Sequence, residues 1–317
     1  FSSVRTTETR LPFEATTFTL FNYIRVFGSH VTYRLLINTA WYTIGSVVIG
    51  LSITTFFAWF LERTNVPFRR IFFVLVLLPM GIPGIVSGMG WILLANPTNG
   101  LLNVIIRSIS GLPGPGPLDI YSISGMITVT AMRFVPVMYI MISGVFGRMD
   151  PAFEEAARMS GAGSWETIRR ISMPLLIPAI LSALIYYTVL CMEIFEIAGM
   201  LGMPRGIFVF ASAIYYAIHR TMGGSLPNYG LASTYGTVLL IVAAGLIYLY
   251  FRHLRNTERY ATVTGRGYRP GLIDLGGWRF VPVVAMGGYF LFSVALPLLI
   301  LLWTSLAPKY AAVSLTA

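Results

Sequence analysis

The chain has 317 residues, 56% of them hydrophobic and 11% charged, with a formal net charge of +10. Its mean hydropathy is +0.75. A soluble domain needs far more charge to cover its surface, so the bilayer is the natural solvent. The single cysteine, Cys191, excludes an internal disulfide, and His30, His219 and His253 are too scattered to suggest a metal site.

Residues 1–36 form a long polar lead. Six apolar runs then follow, at 37–61, 71–95, 121–147, 175–199, 231–251 and 280–303. About 20 apolar residues suffice for a helix to cross a hydrocarbon core of about 30 Å. Backbone groups in lipid must be satisfied internally, so each run is expected to be helical, giving an all-α, polytopic transmembrane helix bundle. Pro79 and Pro83 predict a kink in the second run. Between the second and third runs, 99–109 reads as a short amphipathic helix on the interface, and Pro113, Pro115 and Pro117 exclude a helix beyond it.

The positive charge follows the loops rather than a soluble face, which excludes nucleic acid as a partner. Segments 62–70, 148–174 and 252–279 hold three, four and six arginines. The positive-inside rule places these three in the cytoplasm and both chain ends outside. An outer lead at 1–36 is expected to follow a first span that precedes this chain. On this reading 37–251 is a five-span unit with an inner loop at 148–174. Residues 252–279 are a cytoplasmic linker, and 280–317 open a second unit, so the chain is expected to be part of a longer polypeptide.

The inner loop at 148–174 has its own design. Asp150 suits an N-cap and Pro151 a first helical position. Gly161 and Gly163 supply backbone freedom at a helix end. Ser164 can cap a second helix, with Glu166 near its positive end and Pro174 marking its stop. Phe153, Ala156 and Ala157 share one helical face, and Trp165, Ile168 and Ile171 share another. A partly apolar helix pair in a cytoplasmic loop is suited to docking in another protein's groove.

Several residues within the spans invite a role. Arg133, mid-span, costs about 2.5–3.5 kcal/mol to insert and so needs a partner or a wet cavity; a structural ion pair serves as well as a functional one. Glu193 and Glu196, three apart, are expected to share a helix face. They read either as the outer mouth of a translocation path or as hydrated acids near the surface. The Tyr186-Tyr187-Thr188 cluster suits packing or solute contact.

Glu155-Ala156-Ala157, then Gly161, then Ile171 and Pro174 at this spacing resemble the permease loop of binding-protein-dependent ABC importers, with Met173 where Leu is commoner. Gly100-Leu101-Leu102-Asn103 and the stretch from Phe195 to Pro204 are similar to the branch that moves ferric iron, thiamine and polyamines. The resemblance implies a type I ABC importer permease in the bacterial inner membrane. It implies that Glu155, Ala156, Ala157, Gly161, Trp165, Ile168, Ile171 and Pro174 form coupling helices seated in a cytoplasmic ATPase dimer. It further implies an external solute-binding protein, a second permease half, surrounding lipid, and no catalytic residue or cofactor of the chain's own. Consistent with a separate ATPase, no Gly-x-x-x-x-Gly-Lys sequence occurs. Ferric iron stands first among expected solutes, with thiamine, polyamine and phosphonate open. An ion-gradient-driven secondary transporter is the alternative class, and its signature would be broken helices with midplane ligands.

Overall fold

The computed structural model describes residues 19–146, 156–157, 159–161, 163–219, 227–257 and 272–306. A short helix α1 (Phe21–Phe27) leads to α2 (His30–Arg63), which starts where the Ser29 hydroxyl accepts the Val31 N–H at 3.2 Å. The second apolar run is not one kinked helix. It divides into α3 (Arg69–Leu77) and α4 (Gly84–Ala95), with a 3-10 turn at Leu78–Gly81 and a bend of 99°. Pro83 explains much of this. It forces Ile82 into extended backbone (φ −98°, ψ 122°) and offers no N–H of its own, so the helix restarts in a new direction.

Next come α5 (Leu101–Ser110) and α6 (Ile123–Phe146). Gly111, at φ +66°, closes α5 with its N–H on the Arg107 carbonyl, as a left-handed cap requires. Helix α7 (Met173–Glu193) is shorter than the run at 175–199 and gives way to extended backbone at Ile194. After it, Ala198–Arg205 and α8 (Phe210–His219) form a second bent pair, at 75°, which the apolar runs had not revealed. The described part closes with α9 (Tyr229–Thr257), α10 (Phe280–Phe290) and α11 (Leu296–Leu306). A π turn at Leu291–Ala295 joins α10 to α11 just before Pro297, whose missing N–H a wider turn accommodates.

Among the described residues five helices are long and apolar enough to cross a membrane, the last of them running continuously over Gly276–Leu306, or up to seven spans if each bent pair is counted as one. Among the described residues there are no strands, only one isolated bridge between Thr64 and Ile273.

The core centres on α2 against α6, with α7 and the bent segments packed around them. Polar residues act as glue between these spans. Tyr42 Oη lies 2.9 Å from Thr130 Oγ1, and Cys191 is buried beside Tyr42, Thr43 and Ser46. The last span is fastened to the rest. Pro136, inside α6, cannot donate to the carbonyl of Met132, and the Tyr289 hydroxyl donates to that oxygen at 3.0 Å instead. Tyr289 also meets Phe57 edge-on at 5.4 Å, and Gly90 lets α4 approach the backbone of Pro297.

The basic segments gather at one end. Arg63 donates to the Phe146 carbonyl at 3.3 Å, and Ile273 N–H donates to the Arg63 carbonyl at 2.9 Å. Asn65 Nδ2 donates to Asp274 at 2.6 Å, and Leu275 N–H donates to Asn65 Oδ1 at 3.1 Å. Beside them Glu62 pairs with Arg69 at 2.6 Å. At the other end Asn103, buried, donates to the carbonyls of Asn96 and Leu118 at 2.9 and 2.7 Å. This bonding folds the Pro-rich loop back onto α5, while Arg205 reaches Asp119 at 3.4 Å.

Candidate translocation path and coupling segment

The two broken spans meet at one ion pair. Arg133 extends from α6, Glu196 stands in the break after α7, and their charged atoms are 3.3 Å apart. The pair lies against Gly84, the first residue of α4, where a methyl group would collide with both side chains. No side chain caps this end of α4, so its positive dipole end faces the Glu196 carboxylate. Arg133 Nη1 and Glu196 Oε2 are closed to water and find no hydrogen-bond partner among the described residues.

Glu193 and Glu196 do not share a helix face. Helix α7 ends at Glu193, and the extended backbone at Ile194 sends Glu196 inward to Arg133. Glu193 stays exposed and borders two cavities between α7, α8 and α9. The neighbouring tyrosines divide likewise. Tyr187 is buried 4.7 Å from the Phe134 ring, whereas Tyr186 is exposed on one of these cavities. The buried polar group around Tyr42 and Cys191 was missed by sequence reading, because it joins α2, α6 and α7 at separations that no local pattern encodes.

Within the segment at 148–174, where coupling residues were expected, Glu155 and the preceding residues from Asp150 lie outside the described residues, as does the side chain of Trp165. Ala156 and Ala157 are helical, exposed and half-buried respectively. The Ser160 N–H donates to the Ala156 carbonyl at 3.0 Å, and the chain turns at Gly161 with φ +85°, a conformation that favours glycine. Helix resumes at Ser164, with the Gly163 carbonyl accepting the Thr167 N–H at 3.0 Å, so Gly163 rather than Ser164 stands at the cap. Glu166 pairs with Arg170 at 3.2 Å, and Ile168 and Ile171 are half-buried.

Pro174 does not stop this helix. The chain passes from Ser164–Thr167 through a π turn at Ile168–Ser172 directly into α7, with Pro174 in the first turn of α7. A proline is tolerated there because its absent N–H is accommodated by the wider turn before it. Residues 164–172 and α7 therefore form one continuous rod. At 1.5 Å per residue α7 alone spans about 30 Å. One end of the rod, Ser164, lies three residues after Gly161, and the other bears Glu193 and leads to the Arg133–Glu196 pair.

This arrangement has counterparts. Residues 47–257 match the family described as binding-protein-dependent transport system inner membrane component. The ferric transport system permease protein FbpB of Actinobacillus pleuropneumoniae is 27% identical over 90% of this chain, and the chain spans 40% of that protein's length. The trehalose/maltose transport system permease protein MalF of Thermococcus litoralis is 26% identical over 72% of this chain and 77% of its own. The fold is shared with a bacterial alginate ABC transporter solved in complex with an alginate pentasaccharide-bound periplasmic protein. That match has a TM-score of 0.62 at 20% identity and covers 78% of this chain and 85% of that one. With the family match covering most of the bundle, from within α2 to the end of α9, the chain belongs to the binding-protein-dependent transport system inner membrane components, as a multi-pass protein.

Proposed function

We propose that this chain forms one half of the solute path of an ATP-driven importer and catalyses no covalent chemistry itself. An external binding protein delivers solute, and a cytoplasmic ATPase dimer engages the segment at 148–174. The observation that carries this reading is the continuous helix from Ser164, three residues after Gly161, into α7. Movement imposed on the turn travels along α7 to the place where both broken spans meet. Arg133 and Glu196 act there as a gate latch whose pairing differs between outward and inward access. A second permease half, matching the length of chain that the ferric transport relative has beyond this one, completes the path. Ferric iron is the first solute to test, by similarity to that relative; the trehalose/maltose relative keeps other solutes in the screen.

Broken helices around an ion pair are also what an ion-gradient-driven transporter would use. The two classes separate in energised membrane vesicles containing the full-length protein and its binding protein. Uptake of ferric iron or another screened solute is expected to require ATP and to persist when a protonophore and a sodium ionophore collapse the gradients. Uptake that needs no ATP and stops with the ionophores contradicts the importer reading.

A further inference from the structure

Helices α7 and α9 diverge along one side of the bundle and leave two open cavities of about 680 and about 490 Å³. Both are bordered by Glu193, which makes them one groove with a carboxylate at the junction. Ala243 and Ile247 border the groove with Glu193, and both lie well inside the span Tyr229–Arg252. A carboxylate at that depth is costly, and Glu193, unlike Glu196, has no ion-pair or hydrogen-bond partner among the described residues.

The remaining polar character of the groove has the same sign. Phe195, Tyr215 and His219 stack in a row with ring centroids 4.3 and 3.9 Å apart, so both faces of Tyr215 are covered and the stack holds His219 in place. His219 Nδ1 is engaged at 2.9 Å with the Tyr215 carbonyl, which leaves Nε2 for another partner. His219 is also the last residue of α8, where the helix dipole is negative. Tyr186 and Tyr250 line the other cavity, and among the described residues no Lys or Arg borders either.

We infer that this groove is a station for a positively charged solute, with Glu193 as its counter-charge. The inference rests on the importer reading, since it takes the groove as part of the path. Two kinds of cation fit. A metal cation would use the Glu193 carboxylate and His219 Nε2 as ligands, and an organic ammonium would pair with Glu193 and lie against the exposed Tyr186 ring, which borders the groove with it.

The test uses the full-length protein with its ATPase in lipid nanodiscs, dialysed to equilibrium against ferric nitrilotriacetate, tetramethylammonium chloride or sodium phosphate. At least one cation is expected to bind, and Glu193→Gln to weaken it at least tenfold, with Glu193→Asp recovering part of the loss. If iron is the ligand, His219→Gln also weakens it tenfold. If the ammonium is the ligand, Tyr186→Leu weakens it tenfold while His219→Gln changes it less than twofold. Binding of phosphate alone, of neither cation, or of a cation indifferent to Glu193→Gln overturns the inference. Retained ATPase in every variant shows that the fold is intact. A complex that hydrolyses ATP yet binds no cation sinks only this inference, whereas wild-type protein without any ATPase sinks the importer reading itself.

Discussion

Arg133 and Glu196 show what single residues contribute. Each was conspicuous in the sequence because a charge in hydrocarbon is costly, but their pairing was not readable, since they lie on separate elements. Their worth can be divided into structure and gating. Glu196→Gln leaves the Arg133 cation unpaired and is expected to destabilise the protein by about 1–3 kcal/mol, less than a fully buried pair because both groups are partly exposed. Replacing both, as Arg133→Met with Glu196→Met, removes the orphaned charge and is expected to restore thermal stability while uptake stays low. Recovery of uptake together with stability would assign the pair a structural role only. Glu193 was read less well. Helical periodicity was carried through 194–197, where no Gly or Pro announces a break, so two acids with different partners were placed on one face.

The elements were legible in proportion to how plainly their ends are written. Straight spans such as α2, α6 and α9 follow from apolar length alone. Pro83 announced a disturbance but not its size, because the bend of 99° depends on what α4 packs against, including the backbone of Pro297. The bent pair after α7 was invisible as a span, because Gly199, Gly202, Pro204 and Gly206 interrupt its apolar run. Pro174 was misread because a proline both ends helices and suits their first turn, and only the preceding π turn decides between the two.

Prolines inside spans also create partners for other spans. Tyr289 occupies the carbonyl that Pro136 leaves free, so Tyr289→Phe is expected to lower stability by about 0.5–1.5 kcal/mol. In a Pro136→Ala background Met132 regains a backbone donor, and the same change should cost clearly less. Thermal unfolding of the four proteins in the cycle measures the difference; equal costs in both backgrounds would mean the hydroxyl does not serve the freed carbonyl.

At the scale of the molecule, three basic segments were assigned to one side from charge alone, and the bonds among Arg63, Phe146 and Ile273 gather their edges at one end. What the sequence could not supply is the clasp between 63–65 and 273–276, made by backbone pairing across a long separation. Asp274 holds this clasp, and its carboxyl is kept below the usual range, chiefly by the Gly276 N–H and then by Asn65. A lowered carboxyl pKa stabilises the folded state above the unfolded value of about 3.9 and loses that contribution as pH falls through the folded value. Exchange of the Leu275 and Gly276 amides, corrected for its intrinsic pH dependence, is therefore expected to be flat above about pH 4 and to rise below it. Asp274→Ala should remove the transition.

The most direct measurement is recovery of the full-length protein from membranes, followed by an assay for a co-purifying ATPase. It is to be made on wild type, Glu155→Ala and Gly161→Asp. Gly161 turns the chain at φ +85°, and an aspartate there strains the backbone and adds charge to the turn proposed to dock. A stable ATPase with the wild type, and weakened binding or lost solute-stimulated ATP hydrolysis with the two variants, is the expected result. Wild-type protein that carries no ATPase, with uptake that follows an ion gradient, would contradict the coupling role of this segment.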